Sequence, residues 1–342
     1  MKKLKSKKGK MIMAAILKAF LVLLFLLCIF ILCVFMNHKI QSYKDAALLT
    51  PSGQLVNVNG SNMSIYTEGS GDKTIVFMSG GGTPLPILDF RSLYSLLNDE
   101  YKIIVVEKFG YGFSDDSDRS REIDTMLEDT RQALAKAGMG APYILCPHSM
   151  SGLEALYWAQ KYPDEVSAII GLDMAVPEYY ADMDISTVNL KLKLNKVLSK
   201  IGIVRLLSNQ YINTLYAKSA LTEADKEVIK ALYSQRCVST AFINECEKCL
   251  DNSKVVSVAG VPNVPMLLFL SDGTGTGFDK QAWRSIAIDY ISQADNGLYI
   301  ELDCPHYVHN YEYEKIADEI RKYTACAFSQ RWPAGFLGTA AK

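Results

Sequence analysis

The chain has 342 residues, of which 49% are hydrophobic and 10% aromatic. This composition excludes disorder as the main state, and the length permits one large α/β domain with a full core. Residues 1–40 hold eight lysines and no acid, which leaves 28 of the 36 basic residues against 37 acidic ones in the body. This acidic body argues against a nucleic acid as partner.

The first element in chain order is the uncharged apolar run 19–36, whose 18 residues are about the length that crosses a bilayer core as a helix. A cleavable signal peptide is the alternative, but the run is longer than the usual apolar region and no small-x-small site follows it cleanly. Six lysines lie in residues 1–10, which predicts a cytoplasmic N terminus and an extracellular or lumenal body. We expect residues 1–40 to form a single-pass signal anchor that contacts the membrane through residues 11–36.

After the anchor, β-like segments alternate with helix-like segments. Strands are predicted at residues 55–60, 62–69, 74–80, 102–110, 143–147, 166–174, 264–272 and 297–303. The last six are mostly apolar on both faces, as in parallel strands that are covered by helices on both sides. Amphipathic helices are predicted at residues 85–97, 122–137, 152–161, 279–293 and 313–323. The alternation predicts a doubly wound, mostly parallel α/β sheet.

The alternation stops between residues 177 and 259, where helix-like, apolar-rich pieces occur without a convincing strand. We interpret residues 177–259 as a helical cap inserted after the sixth strand, and residues 41–176 with 260–328 as the core. Residues 329–342, which contain one proline and two glycines, are predicted to be a loose tail. Cys246 and Cys249 form a C-x-x-C in the cap without a second ligand pair, so no metal site is predicted.

The sequence around Ser149 suggests a chemical role for this serine. In ILCPHSMSGLEA, residues 144–155, a strand pattern stops at Pro147 and a helical pattern follows the serine. A strained strand-to-helix turn can expose a nucleophilic serine when small residues flank it. Ser151 and Gly152 meet this condition on one side, whereas Pro147 replaces the usual glycine on the other. The alternative is a serine that caps a packing helix.

Consecutive glycines follow the third strand in MSGGGTP, residues 78–84. They allow the backbone to approach a substrate carbonyl and to aim N–H groups at it, as an oxyanion hole requires. We predict the amides of Gly81, with Gly82 as an alternative, and Met150 as the donors. The other interpretation is a plain glycine-rich turn, and the missing G-K-[ST] argues against a phosphate loop.

A base for the serine can be sought among four histidines. His38 flanks the apolar run, and His148 is held beside the serine on the opposite side of the turn. His306 follows the last strand directly, in the loop from which a base can reach a nucleophile across the sheet, and is the predicted base. His309 is predicted to have a packing or supporting role.

Two aspartates could orient that base. Asp173 ends the sixth strand and Asp272 ends the seventh, so both lie at the carboxyl edge of the sheet, where ligands collect. Both also keep the chain order serine, acid, histidine. The residues alone leave this choice open.

With these pieces the chain resembles the α/β-hydrolase fold family over roughly residues 55–324. The matching segments are the glycine turn at 79–82, FGYGFSD at 109–115, PHSMSG at 147–152 and PHYVHNYEYEKIADEI at 305–320. The helical insertion resembles the cap that covers the active site in many of these enzymes.

The resemblance implies Ser149 as nucleophile and His306 as base. It favours Asp173 over Asp272, because the usual place of the family's acid after the seventh strand falls near Thr274, whereas some members carry the acid at the end of the sixth strand. Ser79 stands where the family often has a histidine.

The sequence therefore predicts a membrane-anchored serine hydrolase that cleaves a carboxylic ester or related acyl bond of a small molecule through an acyl-enzyme, without metal or organic cofactor. An amidase or peptidase of small peptides is one alternative, with Glu178 or Asp182 holding a substrate amine. A non-catalytic ligand-binding protein of the same fold is the other. The pocket is expected to be lined by apolar cap side chains, among them Val204, Leu206, Leu207 and Tyr211.

Overall fold

The protein is described by a computed structural model that covers residues 2–181, 183–327 and 338–340. Within these residues, nine strands form one sheet: β1 (Gln54–Val58), β2 (Ser61–Glu68), β3 (Lys73–Met78), β4 (Tyr101–Glu107), β5 (Tyr143–Pro147), β6 (Val166–Leu172), β7 (Met266–Leu270), β8 (Gly297–Glu301) and β9 (Thr339–Ala340). Their order across the sheet is β1-β2-β4-β3-β5-β6-β7-β8-β9. The strands from β4 to β8 pair in parallel, and β1, β2 and β9 are antiparallel to their neighbours. The predicted mostly parallel α/β fold is confirmed.

The same residues contain twelve α-helices: α1 (Lys2–Asp45), α2 (Pro86–Asp89), α3 (Arg91–Tyr94), α4 (Ile123–Lys136), α5 (Ser151–Lys161), α6 (Ile185–Lys200), α7 (Ile203–Leu215), α8 (Glu223–Arg236), α9 (Thr240–Ala259), α10 (Lys280–Ile291), α11 (Val308–Tyr311) and α12 (Tyr313–Ala327). Helices α4, α5 and α10 pack on one face of the sheet, and α3, α11 and α12 pack on the other. Strands β5 and β7 are buried along their whole length. This two-sided burial explains why their sequences are apolar at consecutive positions.

One predicted helix, residues 85–97, is divided in the structure into α2 and α3. The break falls at Phe90, whose ring is buried and lies 5.2 Å from the ring of Phe77 in β3. The amide of Phe90 donates to the carbonyl of Pro86 at 3.2 Å at the end of α2, and its carbonyl accepts from the amide of Tyr94 at 3.0 Å in α3. A continuous amphipathic pattern cannot reveal such a break, because both halves present their apolar residues to the same core.

Between β6 and β7 the described residues hold the helices α6 to α9 and no strand. Helices α6 and α7 are separated at Gly202, which adopts a left-handed φ of +87°. A Cβ at this position would lie 2.4 Å from Cβ of His38 in α1. Glycine is therefore required both by the turn and by the close approach of α1.

Helix α1 extends well beyond the predicted apolar run. Its segment Gly9–Asp45 is long and apolar enough to cross a bilayer, and almost all of its most apolar window is exposed. Among the residues whose burial is described, those of α1 that are buried, Val34 and His38, lie in its C-terminal part, and α1 contacts α7 and α8. Such exposure of a continuous apolar surface is costly in water and suits a lipid environment.

Two residues near the C terminus pair with the edge of the sheet. Thr339 and Ala340 form β9, whose antiparallel partners are Tyr299 and Leu298 in β8. The expectation of a loose tail over residues 329–342 does not hold at these two positions. Residues 328–337 and 341–342 lie outside the described part of the chain.

Candidate active site

Ser149 lies in the tight turn between β5 and α5 and has a left-handed φ of 52°. This conformation is rare for a residue other than glycine and stores strain at the turn. The turn is held by the amide of Ala175, which donates to the carbonyl of Ser149 at 2.8 Å. A Cβ at Gly152 would lie 2.2 Å from the carbonyl oxygen of Ala175. The small residue that the motif demands after the serine is thus needed for this close packing.

His306 connects Ser149 to Asp173. Its Nε2 is 2.8 Å from Oγ of Ser149, and its Nδ1 is 2.5 Å from Oδ2 of Asp173. An ionised carboxylate can only accept, so Nδ1 carries the proton and donates it to Asp173. Nε2 is then free to accept the hydroxyl proton of Ser149. The three side chains predicted as nucleophile, base and acid therefore lie in one hydrogen-bonded line.

Asp173 is held by two further donors that sequence reasoning missed. The residue is buried at the end of β6, and its Oδ1 accepts from the amide of Ser271 at 2.7 Å and from Nε1 of Trp283 at 2.8 Å. These bonds fix the carboxylate and leave Oδ2 for His306. Trp283 lies on α10, where an aromatic residue in an amphipathic pattern indicates core packing and gives no sign of this role.

The alternative acid, Asp272, has a different partner. Its Oδ1 accepts from the amide of Thr274 at 2.8 Å, which stabilises the loop after β7. The carbonyl of Thr274 in turn accepts from the amide of His306 at 3.0 Å. Asp272 thus supports the loop that places the histidine, whereas Asp173 contacts the imidazole itself.

The glycine turn passes directly over Ser149. A Cβ at Gly80 would lie 2.7 Å from Cβ of Ser149, and a Cβ at Gly81 would lie 3.0 Å from Cε of Met150. Phe242 on α9 covers the turn, since the same Cβ at Gly81 would lie 2.9 Å from its ring. Gly81 and Met150, the predicted oxyanion donors, therefore lie beside each other next to Ser149, with Met150 at the N terminus of α5.

Comparison with known proteins places this fold and site in a family. A family model of the alpha/beta hydrolase fold matches residues 73–198. The chain is 42% identical over 234 residues to the uncharacterized protein YbdG of Bacillus subtilis, which is 68% of this chain and 72% of that protein. The chain belongs to the α/β-hydrolase fold family.

Two more distant similarities agree with this assignment. The chain is 28% identical over 119 residues to a cis-3-alkyl-4-alkyloxetan-2-one decarboxylase of Xanthomonas campestris. The matched region is 32% of this chain and 39% of that protein. An epoxide hydrolase of Bacillus megaterium has a similar structure, with a TM-score of 0.63 at 17% identity over 80% of this chain and 100% of that one. The second likeness concerns the fold alone.

The other two histidines near the site of this α/β hydrolase are buried. Nε2 of His148 lies 3.2 Å from the carbonyl oxygen of His306, to which it can donate. Burial lowers the pKa of His148 well below its ordinary value, and His306 and His309 lower it further. Nε2 of His309 donates to Oδ2 of Asp89 at 2.9 Å. Ligand atoms of Asp89, His148 and His309 lie within 4.8 Å of one another. The hydrogen bonds use both Nε2 atoms, while both Nδ1 atoms are buried without a hydrogen-bond partner among the described residues.

A buried ion-pair cluster joins the core of the hydrolase to α9. Glu245 on α9 lies 2.5 Å from Nζ of Lys108, which follows β4, and 3.1 Å from Nη2 of Arg121. The hydroxyl of Tyr111 donates to the same carboxylate at 3.1 Å. Burial opposes ionisation of Glu245, but the two cations lower its pKa below the ordinary value. Sequence reasoning missed this cluster, because an acid in a helix is exposed far more often than buried.

The structure places the residues that were expected to line the pocket or to bind a substrate amine in separate surroundings. Glu178 is exposed, and Asp182 lies outside the described residues. Val204, Leu207 and Tyr211 line a cavity of about 260 Å³ between the helices of the insertion. Leu206, which was expected beside them, is not among the residues that line this cavity.

Proposed function

We propose that this α/β hydrolase is a membrane-anchored serine hydrolase that cleaves a carboxylic ester or a related acyl bond. The observation that supports this proposal is the position of His306, which is hydrogen-bonded to Ser149 on one side and to Asp173 on the other. A serine becomes an effective nucleophile when a base removes its proton and a third group orients that base.

In the proposed reaction, Oγ of Ser149 attacks the substrate carbonyl while Nε2 of His306 takes the hydroxyl proton. Asp173 holds the imidazole in the required tautomer and stabilises the imidazolium that forms. The amides of Gly81 and Met150 donate to the negative oxygen of the tetrahedral intermediate. His306 then gives its proton to the leaving alcohol, and the C–O bond breaks to leave an acyl group on Ser149.

Release of the acyl group uses the same residues in reverse. His306 takes a proton from a water molecule, and the resulting hydroxide attacks the acyl carbonyl. The second tetrahedral intermediate is held by the same two amides. Its collapse returns the proton to Ser149 and releases a carboxylic acid. No metal or organic cofactor takes part in this scheme.

The membrane part of the proposal rests on α1. Its exposed apolar surface suits a single bilayer crossing, and the lysines that precede it favour a cytoplasmic N terminus with the hydrolase body outside. An ester is proposed over an amine-bearing peptide because neither acid considered for holding a substrate amine is seen in the site: Glu178 is exposed, and Asp182 lies outside the described residues. The buried Glu245 is paired with Lys108 and Arg121 and supplies no free carboxylate in their place.

The proposal is tested with the full-length protein in detergent micelles and p-nitrophenyl butyrate as substrate. We expect a rapid burst of p-nitrophenol that matches the enzyme concentration, followed by slower turnover, because an acyl-enzyme accumulates. Ser149→Ala should lose both phases, whereas Ser285→Ala, at an exposed serine of α10, should keep them. Turnover that persists in folded Ser149→Ala would contradict the proposal.

A further inference from the structure

Helix α6 has an inverted pattern of burial. Leu190, Leu194 and Val197 are 71%, 57% and 55% exposed, whereas the polar side chains of Asn189 and Ser199 are buried. The exposed residues follow the spacing i, i+4 and i+7, so they form one apolar stripe along the outer face of the helix. An ordinary surface helix in water places its apolar stripe toward the core.

The neighbouring helix α7 extends this surface. Leu206, Leu207 and Tyr211 are 53%, 64% and 42% exposed. Together with the stripe on α6 they form what we call the cap face, which consists of Leu190, Leu194, Val197, Leu206, Leu207 and Tyr211. Helices α6 and α7 pack against each other, and exposed apolar side chains clustered on two neighbouring helices are uncommon on a soluble monomer and mark a contact site.

The charge of this region differs from that of the rest of the body. Residues 185–222 contain five lysines and one arginine but no acid, although acids outnumber bases by nine in the body as a whole. By helical geometry, Lys191 and Lys200 flank the stripe on α6, and so does Lys193, whose charge is paired with Glu247 of α9. An apolar face bordered by lysines is typical of a helix that lies in the interface of an anionic membrane.

The cap face is continuous with the helix that enters the membrane. Nη2 of Arg205 on α7 donates to Asp45 at 2.8 Å and to Ser42 at 3.2 Å, both near the end of α1. Leu206 and Leu207, which follow Arg205 directly, belong to the cap face. The exposed apolar residues therefore begin beside the point where the chain leaves the proposed bilayer crossing.

A cavity lies directly behind the cap face. Leu207 and Tyr211, which are exposed, also line the apolar cavity of about 260 Å³, together with Val204 and Tyr233. Side chains that belong both to the surface and to the cavity lining indicate that the cavity opens at the cap face. On its inner side the cavity reaches Cys237, which also lines a small cleft together with Gly82 of the glycine turn and Phe242.

We propose that the cap face rests on the bilayer that α1 enters, and that the cavity behind it takes the acyl chain of a membrane lipid ester. The inference rests on the proposed function and names the substrate class of that same site. A chain drawn from the outer layer of lipid would pass Leu207 and Tyr211 and lie with its ester toward His306 and Ser149. Docking of the cap face keeps this path in contact with lipid.

Docking is tested with the full-length protein in nanodiscs of phosphatidylcholine and phosphatidylglycerol. A photocrosslinking phenylalanine analogue replaces Leu194 or Leu207 in the cap face, or Leu96 as a control. Leu96 is exposed but lies shortly before β4, near the amino edge of the sheet and outside the cap face. We expect lipid adducts at Leu194 and Leu207 and none at Leu96. Crosslinks to a second copy of the chain, or no lipid adducts at either cap position, would overturn the inference.

The acyl-chain site is tested by a ratio of activities. Val204→Trp should fill the cavity and lower the ratio of long-chain to acetate ester hydrolysis by about tenfold, since each obstructed methylene weakens transition-state binding. The control is Val258→Trp, at an exposed valine of α9, which should leave the ratio unchanged. An unchanged ratio in Val204→Trp overturns this inference alone. Failure of the unaltered protein to hydrolyse even the acetate ester would instead overturn the proposed serine hydrolase.

Discussion

Oδ2 of Asp173 lies 2.5 Å from Nδ1 of His306, while Oδ1 of the same carboxylate is occupied by Ser271 and Trp283. The two oxygens of the Asp173 carboxylate thus have different functions. One oxygen fixes the position of the side chain, and the other orients the imidazole. These contacts predict how substitution of each candidate acid, Asp173 or Asp272, changes the activity.

Asp173→Asn is expected to lower kcat by about 10⁴-fold, as loss of the orienting carboxylate does in serine protease triads. The asparagine oxygen can still accept from Ser271 and Trp283, but its NH₂ group faces Nδ1 of His306 and favours the wrong tautomer. Steady-state hydrolysis of p-nitrophenyl butyrate measures the effect. Asp272→Asn should retain most activity, and a larger loss in this variant than in Asp173→Asn would reverse the assignment of the acid.

Gly80→Ala tests the close approach of the glycine turn to the nucleophile. The added Cβ would lie 2.7 Å from Cβ of Ser149 and 2.8 Å from Nδ1 of His148, so the turn or the serine must move. A shift of about 1 Å at a reacting group costs on the order of 100-fold in rate. Gly140→Ala is the matched control, because a Cβ there meets no atom within 4 Å. Equal ester hydrolysis by the two variants would contradict the proposed place of the turn.

The sheet and the position of the serine could be predicted because their signals are local. Each buried strand is a short apolar run, and Ser149 lies where a strand pattern gives way at once to a helical one. The choice between Asp173 and Asp272 could not be made from the residues alone, since both end neighbouring strands. The contact with His306 depends on how the two loops fold over the sheet edge, and the resemblance to a family was needed to prefer Asp173.

The contacts between the core and the cap helices were not predictable for a related reason. Lys108 and Glu245 are 137 positions apart, and nothing in either segment indicates a buried partner. Phe242 was equally hidden, because an aromatic residue in a helix indicates core packing whatever it covers. The outward orientation of the α6 stripe also contradicts the usual rule that apolar helix positions face inward.

Glu245→Ala is expected to destabilise the protein by about 3–5 kcal/mol, because Lys108 and Arg121 would remain buried without their counter-charge. The free energy of unfolding in detergent, measured by chemical denaturation, tests this. Glu247→Ala is a control two residues away, where the carboxylate pairs with Lys193 on the surface. Exposed pairs of this kind contribute at most about 1 kcal/mol. Similar effects in the two variants would show that the Glu245 cluster does not hold the cap helices.

Glu107→Gln is expected to stabilise the protein at high pH. Burial raises the pKa of Glu107 from 4.5 to about 7 in the folded state. The folded state therefore keeps a proton that the unfolded state has lost, and stability falls as pH rises from 4.5 to 7. A shift of this size corresponds to about 3 kcal/mol. Glutamine cannot ionise, so the gain in melting temperature over the unaltered protein should grow between pH 5 and pH 8. A gain that is independent of pH would contradict this assignment.

Labelling of the full-length protein with a fluorophosphonate probe tests the central proposal most directly, because such a probe reacts only with an activated serine. We predict one adduct, at Ser149, that is absent in Ser149→Ala and strongly slowed in His306→Ala. Mass spectrometry of the labelled peptide identifies the modified residue. If the folded protein does not label, or if it labels at another serine, Ser149 is not a working nucleophile and a ligand-binding role for the fold becomes the better account.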